Sequence, residues 1–299
     1  MKDQDNKIYK NFEFLARQLV EGFITGHHKS PYHGFSVEFA EHNPYNTGES
    51  TRHIDWKVFA RTDKLYTKRY EEETNLRCRL LIDHSASMHY PEPGKEKLQY
   101  SLLAAAALSY LMQKQRDAVS VGFFSDKLDV QTECKSTEKH LSNIYALLEN
   151  ELKKDPPQSI TKLSEVLHST AGTIHKRSLV ILFTDFISDF DQMEQVSVAL
   201  QHLKHKKHEV VIFHVYDGET ELDLNLDDRP YLFVDKETGE KLKLNPVEIK
   251  EAYHEAQIKE FTKIENRCRE LKMDFIPVDI RKDLKSVLLT YLNKRKRMR

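Results

Sequence analysis

From residue 76 onward the chain alternates short apolar runs with longer amphipathic ones, and few folds satisfy that order. The apolar runs at residues 76–82, 118–124, 179–183 and 210–215 are short and nearly continuous, which is the pattern of strands buried on both faces. Between them, residues 95–115, 139–151, 161–174 and 192–204 carry apolar side chains at helical spacing. Strand–helix alternation of this kind predicts an α/β fold: a doubly wound, mostly parallel sheet with right-handed crossovers and helices on both faces. Residues 231–234 and 241–244 read as a hairpin turning through Glu237-Thr-Gly239, inside an insertion near 218–245. A long helix over 246–271 follows, then a last strand at 275–278 and a last helix at 284–294. Pro277 cannot donate to a ladder, so that strand belongs at a sheet edge.

The first 75 residues read differently. Phe12, Leu15, Leu19 and Phe23 recur at helical spacing over residues 8–25, with Gly26 placed to end the helix. From Gly34 the period changes to two: Phe35, Val37 and Phe39 alternate with Ser36, Glu38 and Ala40. Ile54, Trp56, Val58 and Ala60 then alternate with Asp55, Lys57, Phe59 and Arg61. Residues 30–75 are therefore expected to form a small β-rich extension with Trp56 in its core, and the domain division is 1–75 and 76–299. Charge excludes little beyond a strong global field for nucleic acid or anionic membranes, since 46 basic and 47 acidic side chains nearly cancel. The longest nearly apolar run, residues 102–112, is too short to span a bilayer, and the N-terminus has no apolar signal core. Cys78, Cys134 and Cys268 are odd in number and far apart. That argues for a reducing cytoplasm and against a disulfide framework.

The predicted strand at 76–82 ends in Asp83-His84-Ser85-Ala86-Ser87. One carboxylate and two hydroxyls at alternating positions of a tight loop can converge on one point. They offer only oxygen, which suits a hard cation such as Mg²⁺, with Mn²⁺ as the alternative. Taken alone, the same turn also reads as a metal-free helix N-cap. Two further loops lie on the same carboxyl edge, where open α/β sheets bind ligands. One carries Thr161, opening an apolar helical stretch, and the other carries Asp185 after the strand at 179–183. Asp83, Ser85, Ser87, Thr161 and Asp185 form the candidate metal set.

This order of Asp-x-Ser-x-Ser, threonine and strand-closing aspartate resembles the metal-ion-dependent adhesion site of von Willebrand factor A domains. The resemblance implies that Ser85 and Ser87 ligate Mg²⁺ directly and Thr161 directly or through water. It implies that the acids act largely through water, and that one position is left for a carboxylate of a partner protein. A longer match runs through Gly34-Phe-Ser-Val-Glu-Phe39, Thr51-Arg-His-Ile-Asp-Trp-Lys-Val-Phe-Ala-Arg61, Lys68-Arg-Tyr-Glu-Glu-Glu73 and Asp83-His-Ser-Ala-Ser-Met88. These blocks resemble the bacterial family called "domain of unknown function fifty-eight". Its members are cytoplasmic or membrane-anchored, carry a von Willebrand factor A-like domain, and are often encoded beside a MoxR-type AAA+ ATPase. The pair is thought to act on other proteins in a chaperone-like way. The chain departs from the family pattern at Asn43, where an arginine is usual, and at Gly48-Glu49-Ser50, where Gly-Asp-Asp is usual. Thr184-Asp185-Phe186 replaces Ser-Asp-Phe with the acid kept.

The expected function is thus a non-enzymatic, Mg²⁺-dependent protein-binding module in the cytoplasm, with no membrane span and no nucleic-acid partner. Its partner supplies an Asp or Glu, and the resemblance implies a MoxR-type AAA+ ATPase. The competing class is a metal-dependent hydrolase using the same oxygens. A Ser–His–Asp triad lacks its Gly-x-Ser-x-Gly elbow, and no phosphate-binding Gly-x-x-x-x-Gly-Lys loop is present. Arg52, Asp55, Arg61 and Glu71–Glu73 read as an internal salt-bridge clamp, or else as a second functional surface. His202, His205 and His208 near a helix end, and the basic tail at 294–299, read as solvated charge.

Overall fold

The computed structural model of the chain describes residues 11–25, 41–45, 54–69, 76–91, 96–157, 161–175, 177–186, 193–236 and 239–297. The chain divides into two compact units, residues 30–75 and residues 1–29 with 76–299.

The larger unit is built on a six-stranded sheet in the order β10-β7-β6-β3-β4-β5. These strands are β3 (Arg77–Asp83), β4 (Ala118–Phe124), β5 (Leu128–Gln131), β6 (Leu179–Thr184), β7 (Glu209–Tyr216) and β10 (Asp274–Asp279). All pair in parallel except β5, which runs antiparallel to β4. The fold class is the expected one, and β10 with Pro277 does lie at an edge. The helices are α1 (Phe12–Thr25), α3 (Glu96–Lys114), α4 (Glu138–Lys153), α5 (Leu163–Thr173), α6 (Met193–His205), α7 (Pro246–Glu270) and α8 (Leu284–Arg297). The hairpin strands are β8 (Tyr231–Val234) and β9 (Lys241–Leu244), at the expected residues, with Tyr231 opposite Leu244.

Alternate residues of each strand feed two cores. Leu81, Val180, Leu182 and Ile212 are buried with Leu163, Leu167, Val196 and Leu200 of α5 and α6, and with Ile264 and Cys268 of α7. On the opposite face Phe213 stacks on Phe183 and meets Tyr291 of α8 edge-on. The central strands are buried along almost their whole length, as apolar continuity predicts for parallel strands covered on both faces. Helix α1 belongs to this unit: Phe12, Ala16 and Val20 are its buried stripe. Strand β5 and a π-helical turn at Gly218–Leu222 have no counterpart in the sequence reading.

The smaller unit departs from its expectation. Strands β1 (Glu41–Pro44) and β2 (Tyr66–Arg69) pair antiparallel, but residues 56–62 form helix α2 (Trp56–Thr62), not a strand. The cause is local. Asp55 caps the helix, its Oδ1 accepting from the amides of Lys57 at 3.0 Å and Val58 at 3.3 Å. Asp63 closes the helix in the left-handed region at φ 52°. Two caps eight residues apart outweigh a brief period-two pattern. Trp56 is consequently 61% exposed and not core. Asp55 is spent on capping and Arg61 is exposed. Arg52, residues 71–73 and the expected strand at 34–40 lie outside the described residues, as do Gly48, Glu49 and Ser50.

Candidate functional site

The carboxyl ends of β3, β4 and β6 face a compact polar cluster. Asp83 closes β3 and is buried. Its Oδ1 accepts from the Ser85 amide at 3.0 Å, and its Oδ2 accepts from Thr184 Oγ1 at 2.7 Å. These bonds turn the chain back on itself, so Ser85 Oγ lies 3.0 Å from Ser87 Oγ and both hydroxyls are buried. A 3₁₀ turn at Ser87–His89 continues the loop. Burial first, and the charge of Asp185 second, push Asp83 up to about 7, against the hydrogen bonds from Ser85 and Thr184.

His84 ties this loop to its neighbours. Its backbone amide donates to the Phe124 carbonyl at the end of β4. Its ring nitrogens lie 2.8 Å from Glu151 Oε1 on α4 and 2.8 Å from Asp129 Oδ2 on β5. Burial opposes a charge on the ring, but the two carboxylates outweigh it and raise His84 above the ordinary histidine range. Ser125 also donates to Asp129, and its carbonyl accepts from the Lys162 amide. That bond anchors the segment carrying Thr161, which is buried just ahead of α5.

Asp185 follows β6, is buried, and accepts from Lys97 Nζ at 2.8 Å. Lys97 is fully buried at the start of α3 and also meets Glu221 Oε1 at 2.5 Å. Burial works against the ammonium, yet Asp185 and Glu221 more than offset it and hold Lys97 above its usual range. Burial raises Glu221 despite Lys97. The backbone carbonyl of Asp185 accepts from His214 Nε2 at 3.1 Å, and burial lowers that imidazole to about 4, so it is neutral.

Asp83, Ser85 and Ser87 are thus joined in one loop, with Asp185 electrostatically coupled to Asp83 and Thr161 in the adjoining segment. Lys97, Glu221 and the Asp129–His84–Glu151 bridge escaped the sequence reading. Lys97 was the legible one: it sits where α3 is otherwise buried, at the register of Ser101 and Ala105. The others come from remote segments with no local signature.

The donors fit a hard divalent cation. Hydroxyl oxygens 3.0 Å apart match neighbouring ligands in an octahedral Mg²⁺ shell of radius about 2.1 Å, whose edge is about 3 Å. No cluster of three or more His, Cys, Asp or Glu suited to a metal occurs among the described residues, so the hydroxyls are indispensable to the fit. Lys97 occupies one oxygen of Asp185, leaving that acid to act at longer range. A serine triad does not fit, because both ring nitrogens of His84 face carboxylates. His202 pairs with His168, while His208 accepts from the Ser178 amide, so His202 and His208 face different partners. In the tail, Arg295 grips Glu209 through both terminal nitrogens and Lys294 meets Asp274.

A family model described as "Protein of unknown function DUF58" matches residues 41–263. The chain belongs to this family. Relatives include the uncharacterized proteins Mb1516 of Mycobacterium bovis and Rv1480 of Mycobacterium tuberculosis. Each is 20% identical over 208 residues, 70% of this chain and 64% of the relative. The chain therefore spans under two thirds of their length. Among solved structures, BatB from Bacteroides thetaiotaomicron is similar at 13% identity and TM-score 0.44 over 75% of this chain and 100% of that one. An aerotolerance-related membrane protein from Bacteroides fragilis is similar at 15% identity and TM-score 0.48, with the same coverage. The cytoplasmic location expected from the sequence is corrected at this point. Similar solved structures bear titles naming membrane proteins, a membrane-spanning protein from Vibrio fischeri among them. No described helix is long and apolar enough to cross a membrane, but that gives no location.

Proposed function

We propose that the chain is a non-enzymatic protein-binding module whose partner docks through a divalent cation held by Asp83, Ser85 and Ser87, with Thr161 and Asp185 assisting. The observation that carries this reading is the hydroxyl pair of Ser85 and Ser87, 3.0 Å apart and buried on the loop that Asp83 closes. When bound, Mg²⁺ or Mn²⁺ supplies a hard positive centre for an Asp or Glu of the partner. The chain's own residues do the rest. Asp83 orients the loop through the Ser85 amide and Thr184. The His84 bridge fixes that loop to β4, β5 and α4. Asp185 adds negative charge behind the hydroxyls, and Lys97 limits that charge so that the site remains folded without a cation. The site is that of a von Willebrand factor A-like domain by resemblance. The same resemblance makes a MoxR-type AAA+ ATPase the proposed partner, with the pair acting on client proteins.

The test is capture of a purified MoxR-type ATPase on the immobilised chain, in Mg²⁺ and in EDTA. Retention in Mg²⁺ that disappears in EDTA and in the Ser85→Ala, Ser87→Ala double variant is expected. Equal retention in all three overturns the cation-dependent reading.

A further inference from the structure

At the opposite end of β3 from Asp83, about 20 Å along a seven-residue strand, a cavity of about 220 Å³ is lined by Arg77, Arg79, Cys134, Thr173, His175 and Ser178. Arg77 and Arg79 are two residues apart on one strand, so both point to the face that Leu81 buries against α5 and α6. The apolar core ends at Ile174, and the two guanidinium groups lie just beyond it. Neither makes an ion pair or a side-chain hydrogen bond among the described residues. Burial, the largest influence, and the charge of Arg77 depress Arg79, opposed only by Cys134 and by no carboxylate. Elsewhere in this unit the buried Arg295 is matched by Glu209, and the exposed Arg281 by Asp217.

Arg79 is half-buried and Arg77 stands exposed beside it on the cavity wall, and an oxygen anion in the cavity reaches guanidinium donors of both. The fork geometry selects oxygen anions, and two positive charges select a dianion. The space of about 220 Å³ holds a phosphoryl group with room for a substituent on it. Ser178 Oγ already donates to the His175 carbonyl, so recognition rests on the arginines. We propose that Arg77 and Arg79 form a binding site for a dianionic phosphoryl group, either free phosphate or a phosphate monoester, at the amino-terminal end of the sheet. The site is independent of the cation loop.

Cys134 makes the site measurable. It is half-buried on the cavity wall, whereas Cys78 and Cys268 are buried, so iodoacetamide reports on cavity occupancy through Cys134. Alkylation of the full chain is followed by peptide mass spectrometry in potassium phosphate, phenyl phosphate, acetate or chloride at matched ionic strength. Phosphate is expected to slow Cys134 alkylation several-fold relative to chloride, with acetate close to chloride. Phenyl phosphate separates the sources: stronger protection than phosphate assigns a monoester, weaker protection assigns the free ion. Protection, taken as a ratio within each variant, should vanish in Arg77→Gln/Arg79→Gln. It should weaken in Arg79→Lys, which keeps the charge and stem but loses the fork. Equal rates in phosphate and chloride for the wild-type chain overturn the site, as does protection by acetate equal to that by phosphate. Protection that persists in a folded double glutamine variant overturns the assignment to these arginines.

Discussion

Lys97 decides the energetics of the candidate site at the scale of single residues. Its ammonium is fully buried between Asp185 and Glu221, and replacing it strands two carboxylates in a poorly solvated place. Lys97→Met is therefore expected to cost about 3–5 kcal/mol, the range for breaking a buried pair from one side, as measured by urea denaturation in EDTA. A loss below about 1 kcal/mol would show that the two acids find solvent or protons instead. The same contact changes the expectation for Asp185. A view built on repulsion between Asp83 and Asp185 alone has Asp185→Ala leave the cation-free protein as stable or more so. With Lys97 bonded to Asp185, that substitution removes an attraction as well, and a fall in melting temperature is expected in EDTA.

Between elements, a bidentate ion pair helps hold the end of β7 to the β10–α8 connection. Arg281 donates from Nε and Nη2 to the two oxygens of Asp217, each at 2.8 Å. Burial would raise Asp217, but the bonds from Arg281 and Thr220 prevail and lower it. The unfolded chain binds the proton more tightly, so this stabilisation is present above the ordinary aspartate pKa and is lost as pH falls through the depressed folded value. Arg281→Gln is expected to cost about 1.5–3 kcal/mol at pH 7, as for hydrogen bonds to a charged group. The cost should shrink as the pH of a denaturation series drops below about 4, the ordinary aspartate range. A cost that does not change with pH would assign the effect to packing. In the smaller unit, α2 depends on its cap and not on its tryptophan. Asp55→Ala should cost about 1 kcal/mol and Trp56→Ala no more than about 0.5 kcal/mol, both read from hydrogen exchange at the Lys57 and Val58 amides. The reverse order would mean that Trp56 is covered in solution.

Across the whole molecule, what was legible in the sequence was what periodicity encodes. Continuous apolar runs gave β3, β4, β6 and β7, and Pro277 gave the sheet edge. Asp83, Ser85 and Ser87 were legible because they alternate within one short loop. Helix α2 was misread because its caps are two single aspartates, and a short alternating run looks the same in a strand. The partners of the site were silent for another reason. Glu221 reaches Lys97 from 124 residues away and Glu151 reaches His84 from 67 residues away, and nothing local marks such pairs. The central claim concerns the loop that was legible, and calorimetric titration of Mg²⁺ or Mn²⁺ tests it most directly. One binding site in the wild-type chain is predicted. It should be absent from the Ser85→Ala, Ser87→Ala variant while that variant's circular dichroism and melting temperature stay close to wild type. Equal binding by both chains, or none by the wild type, would contradict it.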